Sequence, residues 1–364
     1  MKKIEMNKYI WKIKHFRWKH EHSVKIVLLI LFSALFFLLY INMTSISLFF
    51  HNFNAIYNAP LQFYSFYVGQ GECSLVIADG VTYLYDTGTE EYADRMCDEL
   101  SAILKGNELK NIDYLIISHA HSDHYGGAKE VLGRFNVKNI FRPKVLSALE
   151  EEVEGYAVSN DLAYIEMIET VEEEEAEVFF LEPCELTVGQ TFLKFWTPLN
   201  DSYSNDNAIS TILTISSHNN IVMLTGDAVG ETENEFLSAL GEEEMKVDIL
   251  KVPHHGSDTA SSAEFLNRIN PQIAVISAGI NNTYNFPAEE VIKRLHDAGA
   301  SEVYVTKNIG TIGISLGATS YKLSSGFIFN DDPLLLTIYF LFVFVIIALK
   351  FPHKKIFRIK KHNF

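Results

Sequence analysis

Three His and one Asp fall within six residues, His119-Ala120-His121-Ser122-Asp123-His124. Imidazole nitrogen and carboxylate oxygen are the ligands that suit zinc, manganese or iron. The pattern H-x-H-x-D-H-x-G-G, closed by Gly126-Gly127, is too dense for chance histidines on a polar loop. It predicts a metal site. Two later groups could join it. Thr225-Gly226-Asp227 ends the apolar run 221–224, and Pro253-His254-His255-Gly256-Ser257 ends the run 247–252. A carboxylate between two histidine groups is suited to bridge two metals. Such a dinuclear site holds a hydroxide as nucleophile and polarises a substrate oxygen.

The elements around these groups follow from periodicity. The apolar run 112–117 predicts a buried strand leading into the first cluster. A strand in mid-course cannot aim His119, His121, Asp123 and His124 at neighbouring centres, so the cluster is expected on the loop that leaves it. Upstream, 61–68, 73–78 and 82–85 read as strands, with turns at Gly69 and Asp79-Gly80. Asp86-Thr87-Gly88 follows them. Aspartic proteases share that tripeptide but need a second copy, and the histidines would stay unexplained. Helices are expected over 91–105, 128–135, 231–240, 263–269 and 288–298. Strands are expected over 178–181, 186–188, 191–196, 210–215, 221–224, 247–252, 273–277, 302–306 and 311–316. This alternation, with no repeat or linker, predicts one α/β domain over 61–327. The three ligand groups would then gather at strand C-terminal ends, where such sheets bind their ligands. Residues 147–185 carry an acidic run, Glu172 to Glu175 at its centre. They are expected to form a solvated insert of helix and loop.

Charge divides the chain of 364 residues. Formal net charge is −16. The first 25 residues hold eight Lys or Arg against two Glu, and the last 15 hold six and no acid. The middle therefore carries about −28. Residues 26–50 contain no charge, and as a helix they would span about 37 Å, enough for a hydrocarbon core of about 30 Å. Residues 333–349 form a second uncharged stretch. Both are expected to be transmembrane helices. Basic clusters at 1–25 and 350–364 place both termini in the cytoplasm and the body outside, at a cell membrane. Three cysteines, Cys73, Cys97 and Cys184, are too few for a disulfide framework.

Several motifs together resemble the metallo-β-lactamase-fold hydrolases, most closely the hydrolase domain of ComEC-type DNA-uptake competence proteins. They are Val68-Gly69-Gln70-Gly71-Glu72, Tyr85-Asp86-Thr87-Gly88, the cluster from Ser118 to Gly127, Asn205-Asp206-Asn207, Leu224-Thr225-Gly226-Asp227, and Leu250 to Ser257. The resemblance covers about residues 62–316. It implies an αββα sandwich, with two divalent metal ions, zinc or manganese, as cofactors. His119 and His121 would bind one metal. Asp123, His124 and one of His254 and His255 would bind the other, and Asp227 would bridge. His255 is favoured, because in related hydrolases the liganding His directly precedes a small residue and Ser. Asp86 would buttress a ligand His. Asp123, His119 and His121 are the catalytic candidates.

The chain departs from the family in three ways. A His ligand common between the cluster and the Gly-Asp group is represented only by His218, expected in a hairpin turn; Asp206 or Asn207 would complete the first site instead. The late Tyr-Gly-His-Pro of the family is Tyr284-Asn285-Phe286-Pro287 here. The many channel helices of ComEC-type proteins are absent. The chemistry suits phosphodiester hydrolysis, on nucleic acid or on a cell-surface phosphodiester. Nucleic-acid binders usually show a basic groove, so an acidic body leaves only the metals and a nearby lysine such as Lys251 or Lys307 to meet a polyanion. The alternative is a non-catalytic, metal-stabilised binding module at the cell surface.

Overall fold

In the computed structural model, residues 56–325 are described, except 200–202, 204, 243–244 and 318–319, together with Lys8, Trp11 and Lys12. Both expected membrane stretches, 26–50 and 333–349, and both basic ends apart from those three residues, lie outside the described residues. Among the described residues no helix is long and apolar enough to cross a membrane.

The strands in chain order are β1 (Leu61–Ser65), β2 (Ser74–Ala78), β3 (Val81–Tyr85), β4 (Ile112–Ile116), β5 (Val137–Arg142), β6 (Val145–Ser147), β7 (Ala157–Ser159), β8 (Glu177–Phe180), β9 (Cys184–Val188), β10 (Thr191–Trp196), β11 (Ile212–Ser217), β12 (Asn220–Leu224), β13 (Ile249–Lys251), β14 (Ile273–Ile276), β15 (Glu302–Val305), β16 (Ile312–Leu316) and β17 (Tyr321–Ser325). One sheet has the order β17-β16-β1-β2-β3-β4-β5-β8 and a second β15-β14-β13-β12-β11-β10-β9. The central strands read as near-continuous apolar runs because both their faces are covered. In β1, Leu61 and Phe63 face one buried cluster and Tyr64 the other. In β12, Val222 and Leu224 face between the sheets while Met223 faces outward.

That alternation builds four layers. Phe63, Val76, Tyr83 and Ile116 of the first sheet meet Phe195, Leu213, Ile215, Leu224 and Val275 of the second. On the outer face of the first sheet, helix α1 (Ala93–Gly106) packs Met96, Leu100 and Ile103. Phe236, Phe265 and Leu295 close the outer face of the second sheet; they come from α5 (Gly230–Leu240), α6 (Ala263–Ile269) and α7 (Glu289–Asp297). Helices α3 (Ala128–Arg134) and α4 (Leu162–Glu172) complete the first outer layer. The architecture is the expected αββα sandwich.

Two expectations need correction. The ligand cluster is not all loop. His119 to His121 are, but Ser122–Tyr125 form a helical turn, α2, whose N-cap position is His121. A turn of helix puts the adjacent Asp123 and His124 about 100° apart, whereas a strand would send them to opposite faces. The acidic segment 147–185 is not a mere solvated insert either. It supplies α4, the small β6–β7 pair, β8, which adds to the first sheet beside β5, and the start of β9. Glu166, Glu169 and Glu172 of α4 stay on the solvent side while Tyr164, Met167, Ile168 and Val171 are buried.

Candidate metal centre

Five backbone exits converge at one end of the two sheets. Asp86 follows β3, the cluster Ser118 to His124 follows β4, Asp227 follows β12, His254 and His255 follow β13, and Ser277 follows β14. Strand β3 runs parallel to β4, and β12, β13 and β14 run parallel to one another. Parallel strands release their chains on the same side, so each sheet delivers its polar residues to one edge of the sandwich.

The local backbone is bent to achieve this. Asp86, His254 and His255 all lie in the left-handed region, at φ 58°, 50° and 53°. For non-glycine residues that conformation is uncommon and costs about 1–3 kcal/mol. Gly226, at φ 51°, carries the chain past Ser118; a Cβ there would come within 2.8 Å of the Ser118 Oγ. The close approach lets Asp227 reach the cluster from the opposite sheet.

Four ligand-type side chains meet: Asp123, His124, Asp227 and His255, with their donor atoms all within 4.8 Å of one another. The His124 Nε2 lies 3.2 Å from Asp227 Oδ1 and 3.9 Å from Asp123 Oδ2. The His255 Nε2 lies 3.2 Å from Asp123 Oδ2 and 3.5 Å from Asp227 Oδ1. Each imidazole is oriented from behind. The His124 Nδ1 is 2.7 Å from Asp86 Oδ2, and the His255 Nδ1 is 3.0 Å from the Ser277 carbonyl oxygen. With Nδ1 donating to an acceptor, Nε2 is left as the free lone pair, the arrangement a metal ligand needs. Asp86 is itself fixed by the Ser118 amide and hydroxyl, both at 2.7 Å.

The remaining candidates form a looser second group. His119 Nε2 and His121 Nδ1 face each other at 3.0 Å. That is near the ~3.3 Å edge of a tetrahedron with zinc–nitrogen bonds of about 2.0–2.1 Å. The His119 ring lies 4.2 Å from that of His124. His254 stands apart from His255. Its Nε2 is 3.8 Å from Asp227 Oδ2 and 3.2 Å from the Asn207 amide, and its Nδ1 is 3.0 Å from Thr259 Oγ1. Asn207 is buried against His254, whereas Asp206 beside it is exposed. His218 is remote. It sits in the β11–β12 turn, at the end of β12 opposite Asp227, with its Nε2 2.6 Å from Asp79 Oδ1.

Metal ions, implied by the family that these motifs resemble, fit the residues present. His124 Nε2, Asp227 Oδ1 and Asn207 Oδ1 are buried without a hydrogen-bond partner. Buried polar atoms are normally satisfied, and here the first two point into the four-residue group. The charges agree. Burial opposes a charge on His124, but Asp227, Asp86 and Asp123 outweigh it and hold its pKa well above the ordinary imidazole value. Burial likewise opposes ionisation of Asp227, yet His255 and His124 keep its pKa well below the carboxylate range. Asp123 is lowered in the same way against its burial, chiefly by His124. In the metal-free chain a proton on His124 thus supplies the positive charge these carboxylates need. His119, by contrast, is pushed well below its usual value by burial and by His124. It stays neutral, with a lone pair available.

One pair escaped the sequence reading. Lys251 Nζ donates to Glu72 Oε2 at 2.7 Å and to the Val252 carbonyl at 3.0 Å, and both side chains are fully buried. Glu72 comes from the loop after β1 and Lys251 from the end of β13, so the pair ties the two sheets together behind the centre. Lys251 is therefore not available to a substrate, contrary to expectation. The signal was a lysine inside an apolar strand, which is almost never fully buried unless paired. Asp123, about one-third exposed, opens the centre to a cleft of about 630 Å³ lined among others by Glu90, Glu91, Asp94, Lys129 and Glu130.

Residues 66–202 match the family model described as the metallo-beta-lactamase superfamily. Recombination protein 2 of Haemophilus influenzae is 30% identical over 230 residues, 63% of this chain and 26% of that protein. ComE operon protein 3 of Bacillus subtilis is 30% identical over 198 residues, 54% of this chain and 24% of that protein. The chain thus spans about a quarter of the length of these curated relatives. Among solved structures, a metallo hydrolase from the archaeon Ignicoccus hospitalis aligns with 70% of this chain and 100% of its own, at 18% identity and a TM-score of 0.42.

Proposed function

We propose that this chain, a metallo-β-lactamase-fold protein similar to Recombination protein 2 and ComE operon protein 3, is a membrane-anchored, metal-dependent phosphodiesterase acting on nucleic acid. The observation that carries the reading is the position of Asp227. Its Oδ1 faces His124 and His255 and its Oδ2 faces His254, so its two oxygens face histidines on two sides. Asp123, His124, Asp227 and His255 would hold one metal. His119 and His121 would hold the other, with Asp227 shared and Asn207 or His254 beside it. Two divalent ions, when bound, supply Lewis-acid polarisation and neutralise charge on phosphoryl oxygens.

The protein's own contribution is orientation and charge. Asp86 and the Ser277 carbonyl fix the tautomers of His124 and His255. The exposed edge of Asp123 is the side from which a substrate enters. Nucleic acid is favoured by the name of one relative, Recombination protein 2 of Haemophilus influenzae. Anchoring rests on the two uncharged stretches and their basic flanks, which orient the body outward. Protease added to intact cells would then cut the body; digestion only in inverted vesicles would reverse the orientation.

The activity test uses the purified chain with manganese or zinc and bis-p-nitrophenyl phosphate, beside Asp123→Ala and His121→Ala. The proposal predicts turnover in the parent chain and a loss in both variants. Equal rates in all three would contradict it.

A further inference from the structure

We propose that Tyr284 and Phe286 form a stacking platform for a nucleobase of the substrate, one ring away from the metal centre. The inference rests on the nucleic-acid reading above and adds how the substrate is gripped. Tyr284 is 67% exposed. Its ring lies on that of Phe286 with centroids 5.3 Å apart and planes 16° from parallel. Phe286 in turn meets His254 edge-on at 5.8 Å. Three rings thus run from solvent to a histidine that lies against Asp227. The outer face of Tyr284 is flat, open and backed by a second ring.

An exposed tyrosine on a loose loop would make a poor platform, because ordering it costs entropy at the moment of binding. This loop is already ordered. The Asn282 side chain donates to the Gly279 and Phe286 carbonyls at 2.9 and 3.0 Å and accepts from the Phe286 amide at 2.8 Å. Lys307 Nζ donates to the Phe286 carbonyl at 2.6 Å. The Gly279 amide donates to Gln70 Oε1 at 3.0 Å. Most directly, the Ala288 amide donates to the Gly256 carbonyl at 2.9 Å, and a Cβ on Gly256 would come within 2.5 Å of the Pro287 Cβ. The aromatic loop is therefore fastened to the turn that carries His254 and His255, and the platform keeps its register with the centre.

The charge distribution argues for a base as the occupant. A phosphate backbone is usually gripped by Lys and Arg. Here Glu90, Glu91, Asp94 and Glu130 outnumber the single Lys129 in the lining of the cleft at Asp123. Lys251 is buried on Glu72 and Lys307 is committed to a carbonyl. A polyanion gains little from this surface beyond the metals. Stacking is the contact that remains, and it is indifferent to sequence because every base has a π-face. Two consequences follow. Binding should depend on the presence of a base, and it should fall only slightly with salt.

The experiment uses the full-length chain, metal-loaded and metal-free, with a single-stranded oligonucleotide carrying 2-aminopurine and phosphorothioate linkages that resist cleavage. An abasic oligonucleotide of the same length serves as the comparison. The parent chain and Tyr284→Phe should quench the 2-aminopurine by stacking, with a shallow salt dependence between 50 and 200 mM. Tyr284→Ala should lose the quench. Its affinity loss on the base-bearing strand should exceed that on the abasic strand by roughly 5- to 150-fold, the value of stacking one base. Equal losses on both strands, or no loss on either, would overturn the platform. So would a loss confined to a choline-bearing phosphodiester, which would assign the rings to a quaternary cation instead. If diesters are cleaved but Tyr284→Ala is indifferent to the base, the platform fails and the phosphodiesterase stands. If no diester is cleaved but the quench behaves as stated, the reverse holds.

Discussion

The two groups of ligand-type residues at the candidate metal centre are built differently. Around His124, four donors arrive from two sheets, and both His124 and His255 have their second nitrogen fixed by an acceptor behind them. Around His119 and His121, two donors come from one loop of one sheet, and among the described residues Asp227 Oδ2 faces His254, which in turn meets the Asn207 amide. The first half is held by convergence and charge. The second has one such backing, the Ser118 Oγ at 2.9 Å from His119 Nδ1, and otherwise leans on its neighbour. A metal should therefore bind the His124 half first and more tightly, and occupancy of the other half should depend on it through Asp227.

The comparison can be broken most severely at the shared residue. Asp227→Ala should remove both halves at once, lowering metal affinity by more than about 100-fold, since loss of an outer partner alone typically costs 10–100-fold. Metal content after dialysis checks this, and retention of one tightly held ion would show that the halves are independent. Next, His255→Ala should abolish the tight binding phase in a metal titration, whereas His119→Ala should abolish only the weak one. Identical effects would erase the asymmetry.

Support from behind is read out in fold stability and in the affinity of one group alone. Lys251→Met leaves Glu72 buried and unpaired, and should destabilise the fold by about 3–5 kcal/mol; the double change Glu72→Leu with Lys251→Met should recover most of that loss. Denaturant midpoints of the three variants test it. Asp86→Asn should lower affinity at the tight half by about 10–100-fold and leave the weak phase nearly unchanged.

The smallest effect is that of pH. The folded pKa of His124 is raised by its carboxylate neighbours. Its stabilisation of the metal-free fold is fully present below the unfolded value of about 6.5 and is lost as pH rises through the folded value. Metal competes with that same proton, so affinity at the tight half should rise over the same window. Urea midpoints of metal-free protein and metal affinities, each measured from pH 6 upward, should move in opposite directions.

Much of this was legible in the residues. The spacing from His119 to His124, the Gly-Asp at 226–227 and the His-His at 254–255 each mark the end of an apolar strand, and in an α/β sandwich strand ends are where ligands meet. Left open by the sequence were matters that depend on the backbone between motifs. His254 and His255 are neighbours of one residue type, and only their left-handed turn sends one toward Asp123 and the other toward Asn207. Asp206 and Asn207 are likewise adjacent, yet a short 3₁₀ turn buries one and exposes the other. The Glu72–Lys251 pair spans 179 residues and two sheets, so no local pattern announces it. Segment 147–185 was expected as a solvated insert because its acids dominate the composition; its strand at 178–181 was legible, but the pairing of that strand with β5 depends on residues 38 positions earlier.

The central claim is that the two halves work as one dinuclear phosphodiesterase centre. Stepwise addition of manganese or zinc to the metal-free chain, with bound metal and hydrolysis of bis-p-nitrophenyl phosphate read in the same samples, tests it most directly. The account predicts a tight first equivalent with little turnover, and turnover that appears with the second. Full activity at one equivalent, or none at two, would contradict it.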